Sequence, residues 1–279
     1  MSLSISPLSD HTGAEVRGID LRLDAGEEAR EQLNRAFTEH SVLAIRDQRL
    51  SPREFADAAR LFGEIFVQHN TRFALPGCPV VHYISNEDKY PDGKRYIPGA
   101  GYHTDHSNDA TPPKATMLHA IELPDSGGDT QFVNMHRAWE TLPEAMRQRI
   151  EDLKATHVYQ SRHSERKLFG LPPESKGRVP DAVVHPIVRT HPETGRKAIY
   201  INPIRIDGIV GMDDDEALPL LETLLEHAVR PEHQYRHRWQ PGDVVIWDNR
   251  CLLHKANGDY DMSQRRYLYR LMLRGDASF

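Results

Sequence analysis

The chain has 279 residues, of which 38% are hydrophobic and 27% are charged, and its formal net charge at pH 7 is −6. This length and composition are typical of a globular protein with a substantial apolar core. No apolar stretch approaches the roughly 20 residues of a membrane-spanning helix, so an integral membrane protein is excluded. The acidic balance and the absence of a block of Lys and Arg argue against a nucleic-acid partner.

The cysteines and the first residues bear on the compartment. Cys78 and Cys251 are the two cysteines in the sequence, which is too few for a disulfide framework. The first residues lack the basic and apolar regions of a secretory signal. We therefore expect a protein of the reducing cytoplasm.

Apolar spacing and capping residues predict the first elements. A helix is expected over 27–40, followed by a short buried strand over 41–45. A second helix follows Ser51, which is a good N-cap residue. Pro52 suits the first helical position, and Glu54 completes a capping box with Ser51.

From about residue 80 the pattern becomes mostly β. The predicted strands are 80–84, 115–123, 131–135, 184–190, 198–202, 234–239, 243–247 and 266–273. Helical spacing interrupts them over 135–154 and 213–229. Many short strands joined by turns rich in Gly, Pro and Asp indicate a sandwich or barrel with helices outside, and the βαβ rhythm of a Rossmann fold is missing. No linker or repeat divides the chain, so we expect a single domain over 1–279.

Two long segments, 86–101 and 160–180, carry no predicted element. Loops of this length in a compact domain are often active-site lids or substrate loops, and otherwise they are surface excursions. The sequence leaves both interpretations open.

Histidine is in excess, with 16 copies, and spacing selects among them. His103 and Asp105 are two residues apart, so in an extended segment both side chains leave the same face. An imidazole and a carboxylate on one face provide two corners of a metal site. His254 follows the apolar strand 243–247, and a single histidine in such a position is either a structural residue or a further ligand. Seven other histidines are expected at the surface or at helix ends: His11, His40, His136, His163, His227, His233 and His237.

Two arginines share one face of the last predicted strand. Arg266 and Arg270 are four residues apart, which is about 13 Å along a strand with a rise of about 3.3 Å per residue. Buried guanidinium groups are unfavourable unless each meets an anion. The pattern therefore indicates two separate anion positions, or else a solvated strand face.

Together these segments resemble the TauD/TfdA family of Fe(II)- and 2-oxoglutarate-dependent dioxygenases. The matching segments are His103-Thr104-Asp105, Gly127-Gly128-Asp129-Thr130, Trp247-Asp248-Asn249-Arg250 through His254, and Arg265-Arg266 with Arg270. They follow in the family's order, and the similarity runs from about residue 19 to residue 276. The segment 236–254 is nearer to the aryloxyalkanoate (2,4-D type) branch than to the taurine branch.

The resemblance implies a double-stranded β-helix (jelly-roll, cupin-like) core with flanking helices, in one TauD/TfdA-like dioxygenase domain. It implies Fe(II) as the cofactor, with 2-oxoglutarate and O2 as co-substrates. The implied iron ligands are His103, Asp105 and His254, a set that leaves positions open on the metal. Arg266 would pair bidentately with the distal carboxylate of 2-oxoglutarate, and Thr130 would add a hydrogen bond.

The implied reaction is hydroxylation of a small anionic organic acid, such as an aryloxyalkanoate, a sulfonate or a related carboxylate, with release of succinate and CO2. Hydroxylation beside oxygen, sulfur or nitrogen would cleave a C–O, C–S or C–N bond. Arg270 would bind the acidic group of the substrate, and His69 lies where relatives place substrate-pocket residues. Arg205 replaces an aromatic residue of taurine-type members, which suits a carboxylate, a phosphonate or a doubly charged substrate. The family also implies a homo-oligomer, either a dimer or a tetramer.

Three alternatives stay open at this point. Arg265 could hold 2-oxoglutarate instead of Arg266, because a shift of one residue reverses the strand face. A jelly-roll Zn or Fe hydrolase or isomerase could use the same three ligands without 2-oxoglutarate, and it would need neither Arg266 nor Thr130. A non-catalytic binder of small acids would not need the intact ligand triad.

Overall fold

The computed structural model describes residues 3–89, 93, 97–165, 168 and 179–278 of the chain. Most of the predicted loop 86–101 and the ends of the predicted loop 160–180 fall within this part. Residues 90–92, 94–96, 166–167 and 169–178 of those two loops lie outside the described residues.

The described part combines short strands with five α-helices. The helices are α1 (Gly26–His40), α2 (Pro52–Ala59), α3 (Met135–Glu140), α4 (Glu144–Ile150) and α5 (Asp214–Ala228). The strands are β1 (Ser4–Pro7), β2 (Ala14–Arg17), β3 (Val42–Ile45), β4 (Ile65–Phe66), β5 (Ala74–Leu75), β6 (Cys78–Ser85), β7 (Ala115–Glu122), β8 (Thr130–Asn134), β9 (Lys154–His157), β10 (Val183–Pro186), β11 (Val188–Thr190), β12 (Lys197–Ile199), β13 (Ile206–Ile209), β14 (Gln234–His237), β15 (Val244–Asp248), β16 (Leu252–Ala256) and β17 (Tyr267–Leu273). Among the described residues, no helix has both the length and the apolar character needed to cross a membrane.

The largest sheet in the described part has nine strands, and its strands β3 and β15 are buried on both faces. Its order is β1-β2-β3-β15-β7-β17-β6-β5, with β4 paired to β17. On β15, Val245 and Trp247 join the apolar cluster on one side of the sheet, and Val244 and Ile246 join the cluster that includes α1 and α2 on the other side. Because neither face meets solvent, β15 is apolar from residue 244 to residue 247. Each such buried side chain stabilises the fold by about 1.5–3 kcal/mol.

A three-stranded sheet, β14-β8-β16, packs against one face of the large sheet. Its register aligns Phe132 of β8 with Tyr235 of β14 and with His254 of β16. The Phe132 ring contacts the ring of Trp247 from the large sheet, with centroids 5.5 Å apart. Residue 254 therefore faces the space between the two sheets, and the predicted β-rich sandwich with helices outside is confirmed.

The start of α2 follows its predicted capping chemistry. The Ser51 hydroxyl accepts a hydrogen bond from the Glu54 backbone N–H at 3.3 Å, and the Glu54 carboxylate accepts one from the Ser51 N–H at 2.8 Å. Pro52 lies in the first turn of the helix. The predicted capping box is confirmed.

Two predicted elements are wrong in extent, and several short strands were not predicted. The single helix over 135–154 is two helices, because Pro143 has no backbone N–H to continue α3 and serves as the N-cap of α4. The single strand over 184–190 is β10 and β11, which pair with β9 and β12 and belong to different sheets. The strands that were not predicted have at most five residues each: β1, β2, β4, β5, β9, β13 and β16.

Gly242, in the turn before β15, is required both by its backbone conformation and by a close contact, and a comparison of two glycine substitutions can separate these two causes. Its φ is 81°, and an added Cβ would lie 2.6 Å from the backbone oxygen of Gln48. Gly77 has a similar φ of 79°, but a Cβ there would meet nothing within 4 Å. We expect Gly242→Ala to lower the free energy of unfolding by about 1–3 kcal/mol more than Gly77→Ala, measured by urea denaturation. Equal losses would show that backbone strain alone sets the requirement.

Candidate metal centre and cavity

A pair of backbone hydrogen bonds joins His103 to His254. The His103 N–H donates to the His254 oxygen at 3.0 Å and the His254 N–H donates to the His103 oxygen at 2.8 Å, which forms an isolated antiparallel bridge. The two imidazole centroids are 4.2 Å apart. The Asp105 carboxylate oxygens lie 3.9 Å from His103 Nε2 and 3.7 Å from His254 Nε2. The three predicted metal ligands thus come together, with their donor atoms within 4.8 Å of one another.

The hydrogen bond made by His103 prepares its other nitrogen for a metal. Nδ1 of His103 lies 2.9 Å from the backbone oxygen of Gly101. A carbonyl oxygen can only accept, so Nδ1 carries a proton, and when the ring is neutral, as a metal ligand must be, Nε2 keeps a lone pair on the side of Asp105. Two imidazoles and one carboxylate with open positions are the donor set of non-haem Fe(II) sites. The residues present therefore fit Fe(II).

The Asp105 carboxyl is buried and ionised. Burial opposes its ionisation, but the electrostatic effects of His254, Arg270 and His103 and a hydrogen bond from Thr116 outweigh burial and hold its pKa well below the ordinary range. An anionic oxygen is what a divalent cation requires from this position.

Every candidate site residue from the sequence lines one cavity of about 160 Å³. The set comprises His69, His103, Asp105, Thr130, Arg205, His254, Arg266 and Arg270. Apolar side chains, among them Leu118, Ile204 and Trp247, complete the wall. A concave apolar site with a few convergent polar groups is the usual form of a small-molecule site.

Arg266 lies in this cavity, whereas Arg265 does not line it. Arg266 is 4% exposed, and its Nε donates to the backbone oxygen of Gly128 at 2.9 Å. Burial lowers the pKa of Arg266 to about 10, so the guanidinium stays protonated at pH 7. The Arg265 side chain is 41% exposed and forms ion pairs with Glu87 and Glu122.

Thr130 is oriented by an indole. The Trp239 Nε1–H donates to the Thr130 hydroxyl oxygen at 3.0 Å. Because that contact uses Thr130 as an acceptor, the hydroxyl proton remains available to donate to a third group. Thr130 is buried and lines the same cavity as Arg266.

The three predicted substrate residues, Arg270, Arg205 and His69, also line the cavity, and each has a hydrogen-bond partner of its own. Arg270 donates through Nη2 to the Gln68 side-chain oxygen, and its buried Nε has no hydrogen-bond partner among the described residues. Arg205 donates to the backbone oxygen of Tyr159 at 2.8 Å, and its guanidinium lies 5.2 Å from the centroid of the Tyr159 ring. His69 pairs with Asp109 at 2.9 Å.

Sequence reasoning missed several residues of the site. Gln68, Tyr159 and Trp247 line the cavity, and Trp247 also contacts His254 with ring centroids 4.6 Å apart. Trp247 belongs to a segment that carries the family resemblance, so its motif signalled it. Gln68 and Tyr159 have no signal of their own, because only the folded chain places them beside Arg270 and Arg205.

A second group of possible metal ligands in the described part has its donor atoms already engaged. It consists of His191, Asp248 and Cys251. Nε2 of His191 lies 3.0 Å from the Asp248 carboxylate, which also receives Arg250 at 2.6 Å. Burial raises the pKa of the Cys251 thiol, so it stays protonated. This group is an ion-pair cluster rather than a metal site.

The comparisons with known proteins agree with this geometry. Residues 4–272 match the family described as "Taurine catabolism dioxygenase TauD, TfdA family". The chain is 34% identical to the alpha-ketoglutarate-dependent 2,4-dichlorophenoxyacetate dioxygenase of Cupriavidus pinatubonensis, with 99% of each chain covered. It is 32% identical to an alpha-ketoglutarate-dependent sulfate ester dioxygenase of Pseudomonas putida, over 99% of this chain and 91% of that protein. The crystal structure of AAD-2 in complex with Mn(II) and N-oxalylglycine matches with a TM-score of 0.83 and 28% identity, over 100% of this chain and 99% of that chain.

The chain belongs to the TauD/TfdA family. The predictions of this family, of a mostly β jelly-roll core with flanking helices, and of an Fe(II)- and 2-oxoglutarate-dependent dioxygenase are confirmed. The relatives also agree with the predicted nearness to the aryloxyalkanoate branch.

A buried polar network supports the segment that carries two of the candidate ligands. Nδ2 of Asn202 donates to the backbone oxygen of Thr104 at 2.8 Å and to the Ser107 hydroxyl at 2.9 Å. The same hydroxyl lies 2.9 Å from Nδ1 of His157. The network is therefore hydrogen-bonded to the chain at Thr104, which lies between His103 and Asp105, and at Ser107, two residues after Asp105.

Buried histidines are more numerous than the sequence predicts. Of the seven histidines expected at the surface or at helix ends, His136, His227 and His233 do lie at helix ends, although each is at most 5% exposed. The expectation is wrong for His237, which lies on β14 and is fully buried. Burial lowers the pKa of His136 to about 4, and it lowers those of His82 and His157 to about 3. These imidazoles are neutral in the folded protein at pH 5, where an unfolded chain protonates them.

This difference in protonation makes the fold sensitive to acid. The unfolded state binds more protons below its histidine pKa of about 6.5, so stability falls as the pH drops from about 7 towards 4, by up to about 1.4 kcal/mol per pH unit for each such histidine. We expect His157→Asn, which keeps an N–H near Ser107 and does not titrate, to make this decline shallower. The measurement is urea denaturation from pH 7 to pH 4.5 on metal-free protein. The matched control is His163→Asn at an exposed position, and an equal slope in both variants would contradict the assignment.

Proposed function

We propose that His103, Asp105 and His254 hold Fe(II) and that Arg266 and Thr130 hold 2-oxoglutarate. The observation that carries the proposal is the buried guanidinium of Arg266 in the cavity that contains the ligand triad. Its hydrogen bond goes to a neutral carbonyl, and none of the described carboxylates pairs with it. A dicarboxylate that reaches the metal with one end can neutralise this charge with the other.

The roles of the protein groups follow from their hydrogen bonds. When bound, Fe(II) supplies the redox chemistry with O2 that converts 2-oxoglutarate to succinate and CO2 and hydroxylates a substrate C–H bond. Arg266 binds and orients the distal carboxylate, and Thr130 donates its remaining hydroxyl proton to the same group. Gly128 allows this approach, since a Cβ there would lie 3.2 Å from the Arg266 side chain.

The substrate is a small anionic organic acid, such as an aryloxyalkanoate, a sulfonate or a related carboxylate. Arg270 binds its acidic group, because its buried Nε lacks a partner among the described residues and its Nη2 contacts a neutral amide. Arg205 and His69 face the same cavity and complete the pocket. Leu118, Ile204 and Trp247 provide an apolar wall for the rest of the molecule. Hydroxylation at a carbon beside oxygen, sulfur or nitrogen leads to cleavage of that bond.

The other parts of the proposal concern the whole molecule. The chain acts as a single domain over 1–279, in the cytoplasm, as a dimer or tetramer, and without a nucleic-acid partner. Its acidic charge and its two unpaired cysteines support the compartment and the absence of nucleic acid. The jelly-roll hydrolase or isomerase without 2-oxoglutarate is not favoured, because such an enzyme has no use for Arg266.

The test of this function needs purified protein and a set of acids. We expect Fe(II) plus 2-oxoglutarate to give a weak visible absorption band under anaerobic conditions, and added O2 to give succinate. The set contains aryloxy acids, sulfonates, sulfate esters and amino acids, with the neutral amide of each aryloxy acid as its control. At least one acid, and not its amide, raises the rate of succinate release. Absence of both the band and succinate would overturn the proposal.

The arginine assignments predict separate kinetic effects. We expect Arg266→Gln to raise the KM for 2-oxoglutarate at least about tenfold, since a charge-assisted hydrogen bond contributes about 1.5–3 kcal/mol. Arg270→Gln raises the KM for the organic acid by a similar factor and leaves the KM for 2-oxoglutarate nearly unchanged. The matched control is Arg265→Gln, one residue away and exposed, which changes neither. A tenfold effect from Arg265→Gln on the KM for 2-oxoglutarate would reverse the assignment.

A further inference from the structure

The turn between β15 and β16 places the side chain of Asn249 between two buried groups. The Trp247 Nε1–H donates to Asn249 Oδ1 at 3.0 Å, and Asn249 Nδ2 donates to the Thr116 hydroxyl at 2.9 Å. The Thr116 hydroxyl in turn donates to Asp105 Oδ2 at 2.6 Å. Each of these four residues is at most 7% exposed. A continuous chain of three hydrogen bonds therefore ends on a candidate metal ligand.

The direction of this chain is fixed by its first member. An indole N–H can only donate, so the amide of Asn249 must turn its oxygen towards Trp247 and its NH2 towards Thr116. The Thr116 oxygen is then an acceptor for Asn249, which leaves its single proton for Asp105. In an arrangement with the opposite amide orientation, Thr116 could donate to Asn249 and leave Asp105 without this bond.

The chain distinguishes the two oxygens of Asp105. Oδ2 accepts the short hydrogen bond from Thr116, and Oδ1 accepts none from the described residues. A lone pair of Oδ2 is thereby engaged, and the rotation of the carboxylate is restricted. Groups that hold a metal ligand in this way set its orientation and the affinity of the site.

We propose that Asn249 is a positioning residue that acts through Thr116 to orient the Asp105 carboxylate for the metal. This inference rests on the proposed metal site. It adds a role that the ligand set alone does not contain, because neither Asn249 nor Thr116 contacts the cavity.

The backbone of Asn249 supports the same segment. Its carbonyl oxygen accepts a hydrogen bond from the Thr104 hydroxyl at 2.9 Å, and its N–H donates to the backbone oxygen of Lys114 at 2.8 Å. Thr104 lies between His103 and Asp105. One residue therefore holds both the peptide that carries the first two ligands and the carboxylate of the second.

The experiment compares two substitutions at position 116 in the full chain. Thr116→Val keeps the shape and removes the hydroxyl, whereas Thr116→Ser keeps the hydroxyl. Metal-free protein is titrated anaerobically with Co(II), followed by its visible absorption, and with Fe(II) by calorimetry, and circular dichroism confirms folding. We expect Thr116→Val to weaken metal binding about tenfold or more and Thr116→Ser to stay within about twofold of the unmodified chain. If Thr116→Val does not fold, Thr116→Ala replaces it.

A double-mutant cycle tests the part played by Asn249. We expect Asn249→Ala to weaken Co(II) binding at least about threefold in the unmodified chain and to add little in the Thr116→Val background, because the pathway is already broken there. Equal effects in both backgrounds would show that Asn249 does not act through Thr116 and would overturn the proposal.

The outcomes separate this inference from the proposed function. Failure of the unmodified chain to bind Co(II) and Fe(II) would refute the metal site itself. Normal binding by the unmodified chain and equal binding by Thr116→Val would leave the site intact and refute the positioning role. A loss of thermal stability without a change in metal affinity would likewise assign Thr116 a purely structural part.

Discussion

The site depends on the backbone bridge between His103 and His254. His254 is held by the ladder of β16 with β8, whereas His103 lies outside the named strands. Strand pairing therefore supports the bridge on the His254 side only. Side-chain hydrogen bonds from Asn202 to the backbone of Thr104 and from Thr104 to the backbone of Asn249 supply the missing support. An irregular segment can direct neighbouring side chains towards one site. Its buried backbone polar groups still need hydrogen-bond partners, which side chains provide here.

The hydrogen-bond partners of the buried arginines distinguish those that stabilise the fold from those available to bind an anion. Arg250 is buried and pairs with the carboxylates of Asp248 and Glu193. Arg266 and Arg270 are directed instead to neutral oxygens, one from a carbonyl and one from an amide. A buried guanidinium without a carboxylate is unfavourable, and an incoming anion removes that penalty. A chain with a net charge of −6 can therefore bind small anions, because three arginines line the cavity and donate hydrogen bonds to neutral oxygens.

The sequence predicts local chemistry well and tertiary consequences poorly. The capping box at Ser51 and the helix α1 depend on residues close in sequence, and both are confirmed. The burial of His237 depends on its packing against other elements, and residue type alone predicted it wrongly. Strand β16 was not predicted although it carries His254, since its sequence, Leu252 to Ala256, is neither a continuous apolar run like β15 nor an alternating pattern. The contact of Thr116 with Asn249 spans 133 residues, and no spacing rule reports such a pair.

The segment Trp247-Asp248-Asn249-Arg250 contributes both to the stability of the fold and to the candidate site, which is why this short motif indicated the family. Alternate side chains of the segment form two separate pairs, Asp248 with Arg250 and Trp247 with Asn249. Asp248 and Arg250 pair with each other in the ion-pair cluster with His191, where removal of one partner costs about 3–5 kcal/mol. The side chains of Trp247 and Asn249 are hydrogen-bonded to each other and continue towards Thr116 and the metal centre. The Asp248–Arg250 pair therefore fixes the turn in the fold, and the Trp247–Asn249 pair is the one we propose to position the candidate ligand Asp105. Because the two pairs occupy adjacent positions, a substitution at any one of the four residues affects stability as well as metal binding. Thr116, which lies outside the segment, therefore supplies the second background in which the effect of Asn249 on metal binding can be isolated.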